Sequence, residues 1–360
     1  MSIHKMSIHK LTRCFANLCR FRTIRSRLAG CLTAMFVLAP ASLTAHHSVR
    51  GTFDTDTVVE KAGVVTEIRW QNPHVRFTVA VTDEDGELWE IETTSLSTLR
   101  RRQLAADFLS PGDEVRIAGS PAINGDRELY VRNILLPSGE EVLLQNSVTP
   151  RWSQQVLGAA QDDRQEGDRS APELGIFRVW STPVRNSPIW KTDYPLTAAA
   201  QASVAAFDPA VDSPTLNCAP KGMPTIMEQP YPMEFRDDGD RILFLMEEYN
   251  TVRPIHLTDE SGTAAPVASR LGHSTGRWEG QTLIVDTTAI DWDHFDRDGI
   301  PLGSDARIVE RFTLAEEGSR LNYEMTVIDP DTFTEPVVME KFWLWFPEVV
   351  VERYDCVADE

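Results

Sequence analysis

The sequence GHSTGRWEGQTLIVDTT, residues 272–288, shows most clearly how this chain folds. Its second half alternates, with Leu283 and Val285 on one side and polar residues or Ile284 on the other, which is the period-two pattern of a β-strand. A tight turn, Trp-Glu-Gly at 278–280, precedes that strand. We therefore expect this stretch to supply one wall strand of a β-barrel, with its first residues in the turn region.

Apolar and β-branched segments follow one another closely from residue 241 onward. With residues 175–180 they make about eight strands, the number that closes into a barrel with a filled interior or one small ligand. We expect residues 171–360 to form an antiparallel barrel of lipocalin-like type, with an Ala-rich helix at 196–207 capped by Thr197. The predicted strands are 175–180, 241–248, 252–257, 281–288, 307–314, 321–327, 337–344 and 349–354.

Residues 46–146 show the same pattern on a smaller scale. Turn sequences such as Asn124-Gly125 separate the strands, and apolar residues recur at helical spacing in residues 97–108. Five or six strands and one short helix predict a small OB-like β-barrel, so the chain as a whole is mainly β. The predicted strands are 58–67, 75–81, 88–93, 114–118, 129–135 and 142–144.

Residues 147–170 separate the two predicted domains. They include the charged sequence QDDRQEGDR and show no apolar periodicity. Such a composition lacks the apolar surface that packing requires, so the sequence predicts a flexible linker.

The first 45 residues have the features of a secretory signal peptide. They contain seven basic residues and no acidic one, followed by the apolar run 28–41 and a small-residue end at Ala45. About 14 apolar residues are too few to cross a bilayer comfortably. We therefore expect a periplasmic or secreted protein with no integral membrane segment after cleavage.

The mature chain would be strongly acidic. Removing seven basic residues leaves 28 Lys and Arg against 54 Asp and Glu, a formal net charge of −26, which disfavours nucleic-acid partners. Two cysteines remain, Cys218 and Cys356, and an even count in an oxidising compartment predicts one disulfide between them.

Charged residues on apolar strand faces are the candidate site residues of the second domain. Glu310 shares a face with Ile308 and Phe312, and an unpaired buried carboxylate costs several kcal/mol. Arg253 and Arg277 are its candidate partners, and all three are candidate ligand-binding residues.

Two histidines, His256 and His273, are the candidate acid and base residues. A histidine beside a carboxylate in a cavity can exchange protons near neutral pH, and Glu310 is the candidate carboxylate. The same pattern is also typical of histidines that only close a barrel rim. No G-x-S-x-G, H-E-x-x-H, P-loop or dinucleotide fingerprint supports a known enzyme class.

Three histidines at the edges of the first domain suggest a metal site. Cleavage after Ala45 would make His46 the N-terminal residue, and its amine and ring could chelate a divalent metal with His47 or His74. A mobile terminus and a turn histidine explain the same residues equally simply. No other cofactor is predicted.

Several blocks of the mature chain resemble an uncharacterised family of secreted two-domain β-proteins of Gram-negative bacteria. The first domain carries His46-His47-Ser48, Phe53-Asp54 and Asn72-Pro73-His74, and the second carries the block 276–288. Some members have a histidine shortly before the Val-Glu-Arg-Phe block, where this chain has Leu302 and Arg307, which weakens any role for a second catalytic histidine there. Further matching blocks are 222–224, 230–232, 309–312, 329–330 and 354–356.

Three functions follow from these patterns. The first is a periplasmic protein that binds a small apolar or amphipathic molecule in the C-terminal barrel, with its polar end held by the charged inner residues. The second is an enzyme that acts on a hydrophobic substrate through His273 or His256 with Glu310. The third is metal binding through His46, His47 and His74.

Overall fold

The computed structural model describes residues 49–82, 86–145, 148–159, 172–183, 193–208, 211–214, 218–257, 266–347 and 349–355. They contain two β-barrels, which belong to one compact unit. In this part of the chain, no helix combines the length and apolarity that crossing a membrane would require.

The first barrel has five strands in the ring order β1-β2-β3-β5-β4. Neighbours are antiparallel except for β3 and β5, which run in the same direction, and a helix lies between β3 and β4, as in an OB-fold. The predicted OB-like barrel is therefore confirmed. Its elements are α1 (Val49–Thr52), β1 (Val59–Arg69), β2 (Arg76–Val81), β3 (Leu88–Glu92), α2 (Leu96–Arg101), β4 (Glu114–Pro121) and β5 (Glu128–Leu135).

The predicted helix at 97–108 is shorter than expected. Helix α2 ends at Arg101, and a separate 3-10 turn follows at Ala106–Phe108. Gln103 lies between them with φ of 60°, a left-handed conformation that an α-helix cannot continue through.

The described part of the predicted linker is bonded to the first barrel. Strand β6 (Glu141–Leu143) adds to β5, and β7 (Val156–Leu157) pairs with β6 in parallel. The Glu141 carboxylate also accepts hydrogen bonds from the backbone of residues 151–153. The linker predicted for 147–170 is thus ordered from 148 to 159, and 160–170 lie outside the described residues.

The second barrel is a closed ring in which each strand pairs with the next along the chain. Its nine described strands exceed the predicted number of about eight. The sequence pattern did not predict β9 and β12. The predicted strand 349–354 pairs with no other described strand. The strands are β8 (Val179–Ser181), β9 (Met233–Asp237), β10 (Arg241–Met246), β11 (Thr251–His256), β12 (His273–Glu279), β13 (Thr282–Thr288), β14 (Arg307–Leu314), β15 (Arg320–Ile328) and β16 (Val337–Trp345).

The barrel is antiparallel except at one junction, where β11 and β12 run in the same direction. A ring with an odd number of strands cannot alternate direction all the way round, so at least one parallel pair is required. The purely antiparallel barrel of the prediction is corrected at this point. Strand β12 therefore begins at the same end of the barrel as β11.

Aromatic side chains fill the middle of the second barrel. Phe235 and Phe244 stack with ring centroids 4.3 Å apart, and Phe312 meets the Phe235 ring edge-on at 5.2 Å. Helix α3 (Ala198–Ala206) lies in the same half of the chain, and the Thr197 side chain caps it as predicted.

Candidate functional site

Arg253 and Glu310 form a fully buried ion pair inside the second barrel. Arg253 Nη1 donates to Glu310 Oε1 at 3.1 Å, and Nη2 donates to Oε2. Burial opposes the charge on Arg253, but the Glu310 carboxylate outweighs this effect and holds the arginine pKa above its ordinary value. Of the two predicted candidates, Arg253 is therefore the partner of the inward-facing Glu310.

Hydroxyl groups on neighbouring strands complete this ion pair. Ser274 and Thr287 accept hydrogen bonds from Arg253 at 3.0 and 2.7 Å. The Tyr323 hydroxyl donates to Glu310 at 2.8 Å. Such a complete set of partners offsets the desolvation of two buried charges, so the group is internally satisfied.

His256 and His273 lie together but on the other side of the barrel wall. Their rings stack with centroids 5.0 Å apart, at the parallel junction of β11 and β12. Side chains alternate along a strand, and Arg253 and Ser274 already point inward, so both histidines point outward. Glu310 faces the interior, on the opposite side of the barrel wall from both histidines. It therefore does not form the acid/base pair with His256 or His273 that the sequence suggested.

Arg277 is exposed on β12 and pairs with Glu279 at 3.0 Å. It lies on the same outer face as His273, because the two residues are an even number of positions apart. The sequence pattern predicted that His273 and Arg277 lie in a turn. The structure corrects this, since both belong to a strand that pairs with β13 along its whole length.

His74 is the one residue of the predicted metal site among the described residues. Its Nδ1 atom forms a short hydrogen bond with Glu92, and Arg76 donates to the other oxygen of that carboxylate at 2.8 Å. His46 and His47 lie outside the described residues, so the three-histidine site stays a prediction. Elsewhere in the described ranges, no group of three or more His, Cys, Asp or Glu side chains is arranged to hold a metal ion.

Residues 221–231, which we call the covering segment, pack into the core of the second barrel. Met223, Ile226 and Met227 are buried in the same cluster as the strand side chains. The Thr225 hydroxyl donates to the His294 carbonyl at 2.9 Å and accepts from the Trp292 indole at 2.8 Å. These contacts hold the covering segment in an ordered conformation.

Four ionisable side chains, Lys221, Glu228, Glu248 and Lys341, form a buried ionic group beside the covering segment. Lys221 pairs with Glu248 at 2.9 Å, and Lys341 Nζ donates to the Met227 carbonyl at 2.7 Å. Burial lowers the pKa of Lys341 to about 7 and raises that of Glu248. Lys341 therefore holds its proton less tightly than an ordinary lysine.

Several polar atoms around this buried ionic group have no hydrogen-bond partner among the described residues. They include Oε2 of Glu228, Oε2 of Glu248 and the indole nitrogen of Trp343. Lys341 Nζ lies 4.6 Å from the centroid of the Trp343 ring, so the indole and the amine are neighbours inside the barrel. Two carboxylate oxygens and, on the ring beside Lys341, one indole N–H are thus left without partners among the described residues.

The two barrels meet through buried polar side chains. The Asn72 amide donates to Glu247 at 3.1 Å, and Arg101 donates to Ser181 at 2.7 Å and to the Pro230 carbonyl at 3.2 Å. Burial raises the pKa of Glu247 to about 7 and lowers that of Arg101 to about 10. Asn72 belongs to the Asn-Pro-His block of the sequence, which thus has a contact role between the barrels.

The sequence pattern predicted the Arg253–Glu310 pair but did not predict a buried Lys341. Lys341 alternates with Val337, Met339 and Trp343 on one face of β16, so it shares an apolar face just as Glu310 does on β14. The same alternation test would have identified it. Lys221 and Glu228 lie in a loop without periodicity, and no such signal exists for them.

Comparisons with known proteins cover the first barrel only. The model of a family of unknown function, DUF6152, matches residues 35–130. No curated protein and no solved structure matches the chain. The match agrees with the expected relation to an uncharacterised family. It does not extend to the second barrel, which is known from its structure alone.

Proposed function

We propose that the mature protein is an exported binding protein whose second barrel holds a small amphipathic molecule beside the buried ionic group. The observation that carries this proposal is the set of buried atoms without partners, namely the Trp343 indole N–H and one carboxylate oxygen each of Glu228 and Glu248. A buried polar atom without a partner costs about 1–3 kcal/mol. A ligand that both donates and accepts hydrogen bonds, such as one with a hydroxyl group, would remove these costs together.

The charges of the buried ionic group support a polar but uncharged end of the ligand. Glu248 and Lys221 already pair with each other, and Arg297 pairs with Glu228 at 3.1 Å. Both carboxylates therefore already have a cationic partner, and a cationic end of the ligand would lack a counter-ion in this group. A hydroxyl or amide group needs only the directional hydrogen bonds that Trp343 and the free carboxylate oxygens offer.

Methionines provide the apolar surface for the rest of the ligand. Met223 and Met227 of the covering segment and Met339 of β16 are buried in the barrel core. Methionine side chains are flexible and polarizable, so they adapt to an inserted molecule at low cost. Since phenylalanines fill the middle of the barrel, the ligand would lie next to the covering segment.

Export belongs to the same proposal. The basic and apolar features of residues 1–45 support a signal peptide, and a small-molecule carrier with a strongly acidic surface is compatible with the periplasm. Arg253 and Glu310 are interior residues that satisfy each other, whereas His256, His273 and Arg277 lie outside the barrel wall and have no role in this proposal.

Native mass spectrometry of the mature protein, isolated from its own periplasm, tests this proposal. We expect a mass excess of a small organic molecule that is lost on denaturation. We also expect the excess to fall at least several-fold in Trp343→Phe, which keeps an aromatic ring but removes the indole N–H. Arg277→Gln, a change on the outer face, is the matched control and should retain the ligand.

A bare polypeptide mass for the wild-type protein would refute the proposal. An equal ligand content in the wild type and Trp343→Phe would also refute the assigned position. Lys341→Met, which replaces the amine by an apolar chain of similar length, provides a second variant. It should lower the ligand content while the far-ultraviolet circular dichroism stays unchanged.

A further inference from the structure

The first barrel contains a cleft that none of the functions above uses. Its volume is about 420 Å³, within the range of roughly 300–1,000 Å³ that small-molecule sites occupy. Arg132 and Tyr130 of β5, Ser120 of β4, and Thr98 of α2 line it, together with Thr55. Two apolar residues, Val49 and Leu144, complete part of the wall.

Arg132 is held rigidly at the wall of this cleft. Its Nη2 atom donates to the Thr55 carbonyl and, at 2.7 Å, to the Ser120 hydroxyl. Both acceptors are neutral, and Arg132 makes no ion pair with any other described residue. Its Nε atom is buried and lacks a hydrogen-bond partner within the described chain.

A partly buried guanidinium with neutral partners favours an anion nearby. Desolvation destabilises a cation, and a carboxylate or phosphate oxygen in the cleft would supply the countercharge. Arg102, also at the cleft wall, adds a second positive charge while its Nη1 donates to the carbonyls of Leu143 and Gly158. Two arginines thus lie in the cleft wall although the chain as a whole is acidic, and the Glu92 carboxylate lies near Tyr130.

The remaining lining groups are suited to hydroxyl groups on the ligand. The Thr98 oxygen already accepts from Arg101 and the Ser120 oxygen from Arg132, so these hydroxyls serve mainly as donors, and Gln145 adds an amide. Burial raises the pKa of Tyr130 to about 12, so its hydroxyl keeps its proton and can donate at any physiological pH. These groups match a molecule that carries several hydroxyls and little apolar surface.

We propose that this cleft is a binding site for a small hydroxylated carboxylate, of the sugar-acid class, with its carboxylate on Arg132. A singly charged carboxylate fits better than a phosphate dianion, because Arg132 Nη2 is already engaged by two protein oxygens. The site is separate from the second barrel and its buried ionic group. It gives the first barrel a function of its own.

Isothermal titration of the mature full-length chain with gluconate tests the site, with glucose as the neutral probe of similar size and inorganic phosphate as the other anion. We expect gluconate to bind and glucose to bind at least tenfold more weakly. Arg132→Gln should reduce gluconate affinity at least tenfold. The matched control Arg116→Gln removes an exposed arginine that pairs with Glu60 in the same barrel, and it should bind like the wild type.

Tyr130→Phe keeps the ring and removes only the hydroxyl, so it tests the site if Arg132→Gln folds poorly. We expect it to weaken gluconate binding several-fold. No gluconate binding, equal binding of glucose, or tighter binding of phosphate would each overturn the proposal. None of these outcomes depends on the organic molecule sought in the second barrel by mass spectrometry.

Discussion

The Asn72 amide of the first barrel donates a hydrogen bond of 3.1 Å to the Glu247 carboxylate of the second. The same carboxylate accepts from the backbone N–H of Glu352 at 2.8 Å and bonds the Ser97 side chain. A single fully buried acid thus receives donors from both barrels. Its protonation state is therefore coupled to the contact between them.

The pKa of Glu247 predicts how stability depends on pH. The folded-state pKa is about 7 and the pKa of an unperturbed Glu is 4.5, so the folded protein binds this proton more tightly. Stability from this group is fully present below about pH 4.5 and is lost as the pH rises through 7. The total change is about 3 kcal/mol in the free energy of unfolding.

Denaturant unfolding between pH 5 and 8 measures this effect in wild type and Glu247→Gln. The glutamine cannot ionise, so we expect the decline attributed to Glu247 to disappear in the variant. Glu114→Gln, at an exposed position, should keep the wild-type dependence on pH. Parallel curves for wild type and Glu247→Gln would show that the group does not titrate in this range.

Removing one member of the Arg253–Glu310 pair should be costlier than removing both. Arg253→Met leaves a buried carboxylate without its countercharge, and we expect a loss of about 3–5 kcal/mol in unfolding free energy. The double variant Arg253→Met with Glu310→Leu removes both charges and should be more stable than Arg253→Met alone. A double-mutant cycle by denaturant unfolding measures this, and simple additivity would contradict the expected coupling.

Gly222 allows the covering segment to pack closely. A Cβ atom there would lie 2.5 Å from the Arg270 carbonyl oxygen and 2.5 Å from Trp292 Cγ. Gly222→Ala should therefore cost about 1–3 kcal/mol and displace the Trp292 indole. Near-ultraviolet circular dichroism should change in this variant but not in Gly239→Ala, where the added methyl meets no neighbour and the φ of 80° costs only stability. Unchanged spectra in both variants would argue against this close packing.

The disulfide between Cys218 and Cys356 remains a prediction, because Cys356 lies outside the described residues. We expect the mature protein to weigh two protons less under non-reducing conditions than after reduction. Closing a loop of this length contributes about 4–5 kcal/mol in the chain-entropy model, so Cys356→Ser should lower the unfolding midpoint. Equal masses before and after reduction would exclude the bridge.

Strand alternation predicted most of the fold. Strands β13, β14 and β16 were placed within one residue because each has one apolar face. Strand β12 was missed because its sequence, HSTGRWE, has no apolar face of its own. Gly276 supplies the reason in the structure, since Ile255 packs where its side chain would be.

The candidate site was only partly predictable for the same reason. Glu310 was recognisable as a charge on an apolar strand face, and its partner followed from the need for a countercharge. The residues that contact Lys221 and Glu228 depend on how a loop folds back against the barrel. A loop has no sequence periodicity from which these contacts could be predicted. The Asn72 contact between barrels likewise joins residues 175 positions apart.

Both barrels of this protein have an odd number of strands, and each contains one same-direction pair, β3–β5 in the first ring and β11–β12 in the second. In a closed ring, the number of antiparallel neighbours must be even, so the parity of the strand count decides whether such a pair exists. Gain or loss of a whole hairpin in evolution adds or removes two strands, so the strand count would stay odd and the same-direction pair would be preserved. Gain or loss of a single strand would give an even count, in which every neighbour could alternate in direction.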